Sequence, residues 1–388
     1  MIDFQIVRVK SYNQTEVDNG IDTLLKLLGG IEKYIKPNMK VFIKANLVRE
    51  MTPDKAATTH PAIIEALCKK IKEIGAQVIV GDSSSGVYNL AYMTAIYKTT
   101  GMDIACKNSG ALLNEDFSSS VIFNENSAVL KNAQLTNSFL TADVVINVCK
   151  LKTHGLTGYS GAVKNLYGLI PGLVKIEMHS KFNTLDTFCN CLVDIERIAS
   201  EKIKLHIIDG IIGMDGNGPT NGAPKKMDVL IASSNAYYAD MAAISLFGDP
   251  LENPIIQTAI NREIITEQKE EILALREDLK EYAALDFNAI DVKLATSGFK
   301  DMPKFIKALF RSSMSRKVSI NKKICVGCGK CKLHCPGKAI EIKNKKAHIN
   351  QNKCIRCYCC QELCPKNAVK YNKPILYGIV HKLSERKN

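Results

Sequence analysis

The chain has 388 residues, 46% of them hydrophobic and 23% charged, which is the composition of a globular protein of two or three domains. That composition excludes a disordered, collagen-like or coiled-coil chain, and no apolar run reaches the roughly 18 residues that span a bilayer. The chain begins without a basic segment followed by an apolar one, so we expect a cytoplasmic protein without a secretion signal.

Basic charge and cysteine are concentrated near the C-terminal end. Residues 316–388 contain 18 Lys and Arg against 3 Asp and Glu, a net charge of +15. Nine of the 14 cysteines fall between Cys325 and Cys364, and such dense cysteines in a long chain without an export signal indicate metal binding. We therefore expect four parts: an α/β body at 1–300, a basic amphipathic linker at 301–317, a cysteine-rich domain at 318–374 and a C-terminal tail at 375–388.

In the body, short apolar runs alternate with stretches of helical periodicity. Pro61 to Ile74 has apolar residues at helical spacing, and Thr266 to Ala284 predicts a long, exposed, charged helix. Continuous apolar strands between helices are typical of an α/β fold with a mainly parallel sheet. The predicted strands cover the runs at 40–44, 77–80, 142–148, 206–210 and 229–232.

Polar side chains follow four of these runs. In open α/β sheets, binding groups collect at the carboxyl ends of the strands. Lys44 ends the first run and Asn46 follows it, residues 82–85 follow the second, residues 150–164 follow the third, and residues 209–215 begin at the end of the fourth. The third segment combines lysines with glycines, which together can bind a phosphate or a carboxylate. The alternative for it is a flexible surface loop with solvated lysines.

Three further side chains are candidates for acid–base chemistry. His154 is one, because an unperturbed histidine titrates near pH ~6.5, although a lone histidine also serves structural roles. Asp209 and Asp215 can bind a metal, orient a lysine or form turns, and the local sequence favours turns. The predicted body site therefore has a catalytic set, His154, Asp209 and Asp215, and an anion-binding set, Lys44, Asn46, Lys150, Lys152, Lys164 and Asn165.

Three body segments resemble the domain of unknown function 362 family: residues 147–154 (NVCKLKTH), 161–168 (GAVKNLYG) and 209–219 (DGIIGMDGNGP). The resemblance covers roughly residues 30–300, and members are often fused to ferredoxin modules. The activity of the family is not established, so the resemblance implies a domain identity and little chemistry. It favours seven of the candidate residues: Lys44, Lys152, His154, Lys164, Asn165, Asp209 and Asp215.

The cysteines form a duplicated motif. Two copies of Cys-x2-Cys-x2-Cys-x3-Cys-Pro begin at Cys325 and Cys354, 29 positions apart. Each copy resembles the motif of bacterial two-cluster ferredoxins, which implies a small α+β domain. In that motif three cysteines of one copy and the fourth cysteine of the other hold each [4Fe–4S] cluster. The implied ligands are Cys325, Cys328, Cys331 and Cys364 for cluster one, and Cys354, Cys357, Cys360 and Cys335 for cluster two.

The ninth cysteine of this region, Cys359, lies between ligand positions and is expected not to bind iron. Zinc is one alternative for the motif, since zinc sites also use four cysteines. Clusters that only hold the fold together are another. Because the region stays basic even with two clusters bound, its expected partner is an acidic redox protein or an anionic small molecule, not nucleic acid.

These features predict single-electron transfer between two [4Fe–4S] clusters and a body site for an anionic substrate or cofactor. If the protein is an enzyme, it is an iron–sulfur oxidoreductase. One alternative is a non-enzymatic electron carrier whose body docks a redox partner, and another is a non-redox enzyme with structural clusters. The sequence leaves open whether the body binds flavin or another organic redox cofactor, and it does not indicate the oligomeric state.

Overall fold

The computed structural model describes residues 2–290 and 316–371. We call the first range the body and the second the cysteine-rich region. Most of the expected linker, residues 301–315, and the expected tail, residues 375–388, lie outside the described residues. Within the described residues, no helix combines the length and the apolar character that a membrane crossing requires.

The body is built from alternating strands and helices. Its strands are β1 (Gln5–Arg8), β2 (Lys40–Lys44), β3 (Gln77–Gly81), β4 (Leu112–Leu113), β5 (Ser119–Phe123), β6 (Asn132–Thr136), β7 (Val144–His154), β8 (Gly158–Ser160), β9 (Ile203–Asp215) and β10 (Ala223–Ser233). Its α-helices are α1 (Gln14–Leu27), α2 (Pro61–Glu73), α3 (Leu90–Thr100), α4 (Met102–Ser109), α5 (Asn137–Leu140), α6 (Ala162–Asn165), α7 (Val174–Lys181), α8 (Leu185–Ala199), α9 (Ala236–Ser245), α10 (Pro254–Asn261) and α11 (Lys269–Asp278). Short 3-10 helices cover Ile31–Lys33, Pro53–Lys55, Leu166–Leu169, Pro250–Glu252 and Lys280–Tyr282.

Eight strands form one mixed sheet in the order β1-β10-β9-β7-β2-β3-β4, with β8 paired to β7. Its central strands, β9, β7, β2, β3 and β4, run parallel to their neighbours in this series. The strands β1, β10 and β8 pair antiparallel at the sides. The prediction of an α/β body with a mainly parallel sheet is therefore confirmed.

The sheet separates two apolar cores, because alternate side chains of a strand point to opposite faces. Val41 and Ile43 of β2 join a core with helices α1 to α4, while Phe42 joins a core with α6, α8, α9, α10 and α11. Since both faces are covered, the carboxyl ends of β2, β3 and β7 form an edge at which polar groups can meet.

Two predicted helices have different outcomes. The helix beginning at Pro61 is confirmed: Pro61 occupies the first turn and His60 Nδ1 accepts a hydrogen bond from Ala62 N at 3.2 Å. The long helix predicted for Thr266 to Ala284 is wrong in length, since only α11 and a 3-10 turn form there. Most of the segment is exposed as predicted, although Ile272 and Leu275 are buried against the body core.

Strands β7 and β9 both run beyond their predicted ends. The interpretation of residues 150–164 as a surface loop is wrong for the first part, since β7 continues to His154 with every residue buried. A turn at Asp209 is equally wrong, because Asp209 lies inside β9 opposite Lys150. Continued pairing of the two strands satisfies the backbone, and the facing opposite charges make the polar sequence compatible with burial.

The cysteine-rich region is a small α+β unit. Its elements are β11 (Val318–Ile320), α12 (Lys330–Leu333), β12 (Ile340–Lys343), β13 (Lys346–Ile349), α13 (Cys359–Glu362) and β14 (Val369–Tyr371). Strand β11 pairs with β14, and β12 pairs with β13, in both cases antiparallel. Each motif copy therefore contributes one short helix that begins among its cysteines, as the internal repeat predicts.

Candidate functional site

A polar cavity lies at the carboxyl edge of the parallel strands. It has about 440 Å³ of space not filled by protein atoms, part of it open to solvent. We call it the lysine pocket. Its charged and amide-bearing lining residues are Asn46, Asp82, Lys152, His154, Lys164, Asn165, Lys175 and Glu362.

Lys152 enters the pocket from β7 and is held by neutral oxygens. Its Nζ donates to Asn46 Oδ1 and to the Ala57 carbonyl, both at 2.6 Å. Asn46 Nδ2 in turn donates to Asn165 Oδ1 at 2.6 Å, which fixes both amides. Burial lowers the pKa of Lys152 to about 7, and within the described residues its hydrogen-bond acceptors are neutral oxygens.

Two further lysines complete the cationic lining. Lys164 lies in α6 with its ammonium 4.7 Å from the Tyr167 ring centroid, a cation–π contact, and burial lowers its pKa. Lys175 lies in α7, and its Nζ donates to the Ser83 carbonyl at 2.7 Å and to Ser83 Oγ at 2.9 Å. Burial lowers the pKa of Lys175 to about 7.

Glu362 reaches the pocket from helix α13 of the cysteine-rich region. His154 Nδ1 accepts from the backbone N–H groups of Leu156 and Thr157 at 3.2 and 3.3 Å, so Nε2 carries the proton of the neutral ring. That Nε2 lies 3.3 Å from Glu362 Oε1. Burial lowers the pKa of His154 to about 4, so the ring is neutral near pH 7.

The carboxyl group of Glu362 is ionised in this setting. Burial alone would raise its pKa, but the His154 ring at 3.3 Å and the charge of Lys164 outweigh burial and hold it at about 2. The pocket therefore contains one anion from the cysteine-rich region among three lysines of the body.

Lys44 forms a closed ion pair beside the pocket. Its Nζ lies 2.6 Å from Asp82 Oδ1 and donates to the Ala45 carbonyl at 2.7 Å. Asp82 Oδ2 accepts from Leu47 N at 2.7 Å. A Cβ atom at Gly168 would collide with both members of the pair, so a larger residue at this position would displace the Lys44 and Asp82 side chains.

Lys150, Asp209 and Asp215 lie outside the lysine pocket. Lys150 Nζ is 2.6 Å from Asp209 Oδ2, and both side chains are fully buried. Asp209 also accepts a hydrogen bond from Tyr12 Oη. Of the three roles considered for Asp209, which were metal binding, orienting a lysine and forming a turn, its contact with Lys150 fits the second. Asp215 ends β9 and accepts from Asn288 N at 3.1 Å. The structure thus gathers Asn46, Lys152, His154, Lys164 and Asn165 in the pocket and leaves these three residues elsewhere.

The cysteines of the two motif copies surround two separate cavities. One, with about 380 Å³ of space, is lined by Cys325, Cys328, Cys331 and Cys364. The other, with about 330 Å³, is lined by Cys335, Cys354, Cys357 and Cys360. Both sets combine three cysteines of one copy with the fourth cysteine of the other.

The donor chemistry of these cavities suits thiolate ligands. Backbone N–H groups of Ala347 and Ala368 donate to the sulfurs of Cys325 and Cys364 at 3.4 and 3.3 Å, and such bonds stabilise cluster-bound thiolates. The residues present therefore fit a [4Fe–4S] cluster in each cavity. Cys359 is buried and lines neither of them. Across residues 2–290 and 316–371, no three His, Cys, Asp or Glu side chains are grouped to hold a single metal ion.

The cysteine-rich region is docked onto the body through the same edge. Arg49, after β2, donates to the Cys364 carbonyl at 2.9 Å and to Asn367 Oδ1 at 2.6 Å. Gln361 Nε2 donates to the Asn217 carbonyl at 2.7 Å. A Cβ atom at Gly155 would lie 3.3 Å from Tyr358 Cγ, so the second cysteine loop packs against the residue that follows His154.

Comparison with protein families identifies both parts of the chain. Residues 41–245, more than half of the chain, match the model of the domain of unknown function DUF362. The chain belongs to the DUF362 family. Residues 317–365 match a 4Fe–4S dicluster domain, so this DUF362 protein carries a C-terminal domain of the iron–sulfur cluster-binding type, fused as predicted.

A thylakoid-associated protein of Synechocystis sp. is 28% identical to the DUF362 protein over 256 residues, which are 64% of this chain and 76% of the relative. Two solved structures are similar at 13% identity. The lactate racemase apoprotein of Thermoanaerobacterium thermosaccharolyticum has a TM-score of 0.40, covering 61% of this chain and 56% of that one. A Thermotoga maritima protein has a TM-score of 0.38, covering 62% and 60%. The chain thus spans less than two thirds of either solved structure.

Sequence reasoning missed two residues of the pocket in the DUF362 protein. Lys175 lies in a helix, where a lysine ordinarily indicates a solvated surface, and nothing in its local sequence signals burial. Glu362 belongs to the other part of the chain, 208 positions after His154. The one available signal was its rarity, because it is one of three acidic residues among the basic residues after 316.

Proposed function

We propose that this DUF362 protein is an iron–sulfur oxidoreductase in which the dicluster domain exchanges single electrons with an anionic substrate or cofactor bound in the lysine pocket. One observation carries the proposal: Glu362, two positions from both Cys360 and Cys364, lies in the pocket with Oε1 3.3 Å from His154 Nε2. A residue adjoining ligand positions of both proposed clusters therefore contacts the predicted acid–base group of the body.

The eight cysteines around the two cavities would hold two [4Fe–4S] clusters, with Cys325, Cys328, Cys331 and Cys364 in one set and Cys354, Cys357, Cys360 and Cys335 in the other. Such clusters supply one-electron chemistry when bound.

The body residues have distinct roles in this proposal. Lys152, Lys164 and Lys175 bind the anion, and Asn46 and Asn165 hold Lys152 in position. His154, which is neutral near pH 7, holds its Nε2–H toward Glu362, and in this proposal it can accept a proton only transiently from the bound molecule. Lys44 and Asp82 act indirectly, because their ion pair shapes the pocket wall.

In this proposal an acidic redox protein delivers electrons at the cavity that is lined by Cys325, Cys328, Cys331 and Cys364. Cys328 is exposed there, and Val326 and Leu333 beside it are 55% and 78% exposed. Residues 316–340, which include three of the cysteines of this cavity, contain seven Lys and Arg and no Asp or Glu, a strongly positive stretch of the domain. Charge of one sign around an exposed apolar centre accelerates encounter with a partner of the opposite charge.

The experiment that tests the proposal begins with anaerobic purification and measurement of iron, sulfide and zinc. We expect about eight irons and about eight sulfides per chain, with broad absorption that dithionite bleaches. Cys360→Ala should reduce the iron content to about four, whereas the adjacent Cys359→Ala should retain about eight. Zinc without sulfide would contradict the proposal.

The enzymatic part is tested by reoxidation of the dithionite-reduced protein with a panel of anionic acceptors. Lys164→Ala should slow reoxidation by an active acceptor, while Lys107→Ala, an exposed lysine of α4, should not. Rapid electron delivery to an acidic protein that is unaffected by Lys164→Ala, with no acceptor turned over, would instead identify an electron carrier. Flavin bands in the purified protein would identify the acceptor as a bound cofactor.

A further inference from the structure

We propose that the ligand of the lysine pocket is a small dianion, either a molecule with a phosphate group or a dicarboxylate. This inference rests on the proposed function, because it concerns the molecule that would exchange electrons with the dicluster domain. It is carried by the balance of charges that line the pocket and by the hydrogen-bond donors that the protein leaves open.

The lining residues have a net charge of two positive units when their lysines are protonated. Lys152, Lys164 and Lys175 contribute three positive charges, and Glu362, whose Oε1 lies 3.3 Å from the Nε2 of His154, contributes one negative charge as a carboxylate. The second lining carboxylate, Asp82, is neutralised by Lys44 at 2.6 Å. The His154 ring is neutral because its Nδ1 accepts two backbone hydrogen bonds.

In a largely buried site, such an excess of one sign is relieved either by loss of protons from the lysines or by a bound anion that keeps them protonated. Buried charges are ordinarily paired, and here the described lining residues offer no third carboxylate. A ligand with two negative charges would restore neutrality, whereas a ligand with one negative charge would leave a buried cation unpaired. The charge balance therefore favours a dianion over a monoanion.

The lysine N–H groups that have no acceptor among the described residues agree with this charge count. Lys175 already donates to the Ser83 carbonyl, Ser83 Oγ and the Ser84 carbonyl, so its role is mainly electrostatic. Lys152 donates to two oxygens and keeps one N–H. Lys164 lies against two aromatic rings and no hydrogen bond from its Nζ is found within the described residues, so its three N–H groups are available. Four cationic N–H donors suit two or more anionic oxygens.

The size of the pocket limits the ligand. About 440 Å³, including space open to solvent, is in the lower part of the range for small-molecule sites. A phosphate group or a short dicarboxylate fits with room for a small attached group.

The test is isothermal titration of the anaerobic holoprotein at pH 7.5 with four probes: inorganic phosphate, malonate, acetate and nitrate. We expect phosphate or malonate to bind at least about tenfold more tightly than either monoanion. Preference for phosphate would identify a phosphate group and preference for malonate a dicarboxylate. Either preference should be lost in Lys164→Met and retained in Lys107→Met, with cluster absorption unchanged in both variants.

Two results would overturn the inference in distinguishable ways. Acetate or nitrate binding as tightly as the dianions, still dependent on Lys164, would show a monoanion site and leave the proposed function standing. Absence of binding by all four probes would show that the lysine pocket is not an anion site. It would also contradict the part of the proposed function in which an anionic substrate or cofactor binds there, while the proposed clusters would be unaffected.

Discussion

Strand β7 buries two lysines only two positions apart, and their surroundings are opposite in kind. Lys150 has a carboxylate at 2.6 Å, Asp209, and also donates to Tyr12 Oη and the Ile212 carbonyl. Lys152, within the part of the chain that the structure describes, donates to the neutral oxygens of Asn46 and Ala57 and to no carboxylate. The first lysine has its counter-ion within the fold, whereas the second faces a cavity in which a counter-ion can bind. Burial alone therefore does not distinguish a structural lysine from a functional one, but its partners do.

The largest expected effect comes from breaking the buried Lys150–Asp209 ion pair. Asp209→Asn would leave Lys150 buried without its carboxylate and should lower the free energy of unfolding by about 3–5 kcal/mol. Denaturant unfolding of the holoprotein measures this change. The matched control is Asp215→Asn at the end of the same strand, which should cost less than about 1 kcal/mol. Equal stability of the two variants would show that the Lys150–Asp209 pair is not what stabilises this part of the sheet.

Lys152 and Lys175, which have no carboxylate within hydrogen-bond distance among the described residues, should make the proposed anion binding pH-dependent. Burial holds the pKa values of Lys152 and Lys175 at about 7 in the empty protein, and a bound anion raises them. Affinity for sulfate, a dianion throughout this range, should be greatest below pH 7 and fall by about tenfold or more between pH 7 and pH 9. The charged groups that face these two lysines are Lys44, Asp82, Lys150, Lys164 and Glu362.

Titration calorimetry with sulfate at pH 6, 7, 8 and 9 measures this dependence. The pKa of Glu362, at about 2, lies far below the window, so that group does not contribute. Affinity that stays constant to pH 9 would mean that Lys152 and Lys175 remain protonated in the empty pocket.

Arg49 extends the comparison to a third buried cation. Its guanidinium donates to the Cys364 carbonyl and to Asn367 Oδ1, both neutral, and its Nε has no partner within the described residues. We expect the cluster held by Cys364 to provide the missing negative charge. Arg49→Gln should therefore lower the reduction potential of that cluster by roughly tens of millivolts. An EPR-monitored redox titration, with Arg276→Gln of α11 as control, measures the shift, and an unchanged potential would exclude this role.

The smallest effect is expected for Lys152→Met. Removing an uncompensated buried charge is favourable, but Asn46 Oδ1 and the Ala57 carbonyl lose their donor. These changes offset one another, so stability should stay within about 1 kcal/mol of the wild type. A loss as large as that of Asp209→Asn would show that Lys152 is as structural as Lys150.

The parts of the molecule differ in how much their sequence reveals. The eight cysteines that line the two cavities are the two sets that the repeated motif implies, because the spacing within a short loop fixes which thiols can meet. The body sheet was predictable from its apolar runs. The ends of β7 and β9 were not, because Lys150 and Asp209 look like surface residues until the strands are paired. Lys175 and Glu362 join the pocket only through tertiary packing, and Glu362 only through docking of the dicluster domain.

The central claim is that the lysine pocket and the dicluster domain act together. The most direct test is an EPR-monitored potential measurement of the clusters without and with saturating phosphate. Because Glu362 connects the two sites, a dianion in the pocket should lower the potential of a cluster by roughly tens of millivolts, and Lys164→Met should abolish the shift. Bound phosphate that leaves both the potential and the EPR spectrum unchanged would contradict the account.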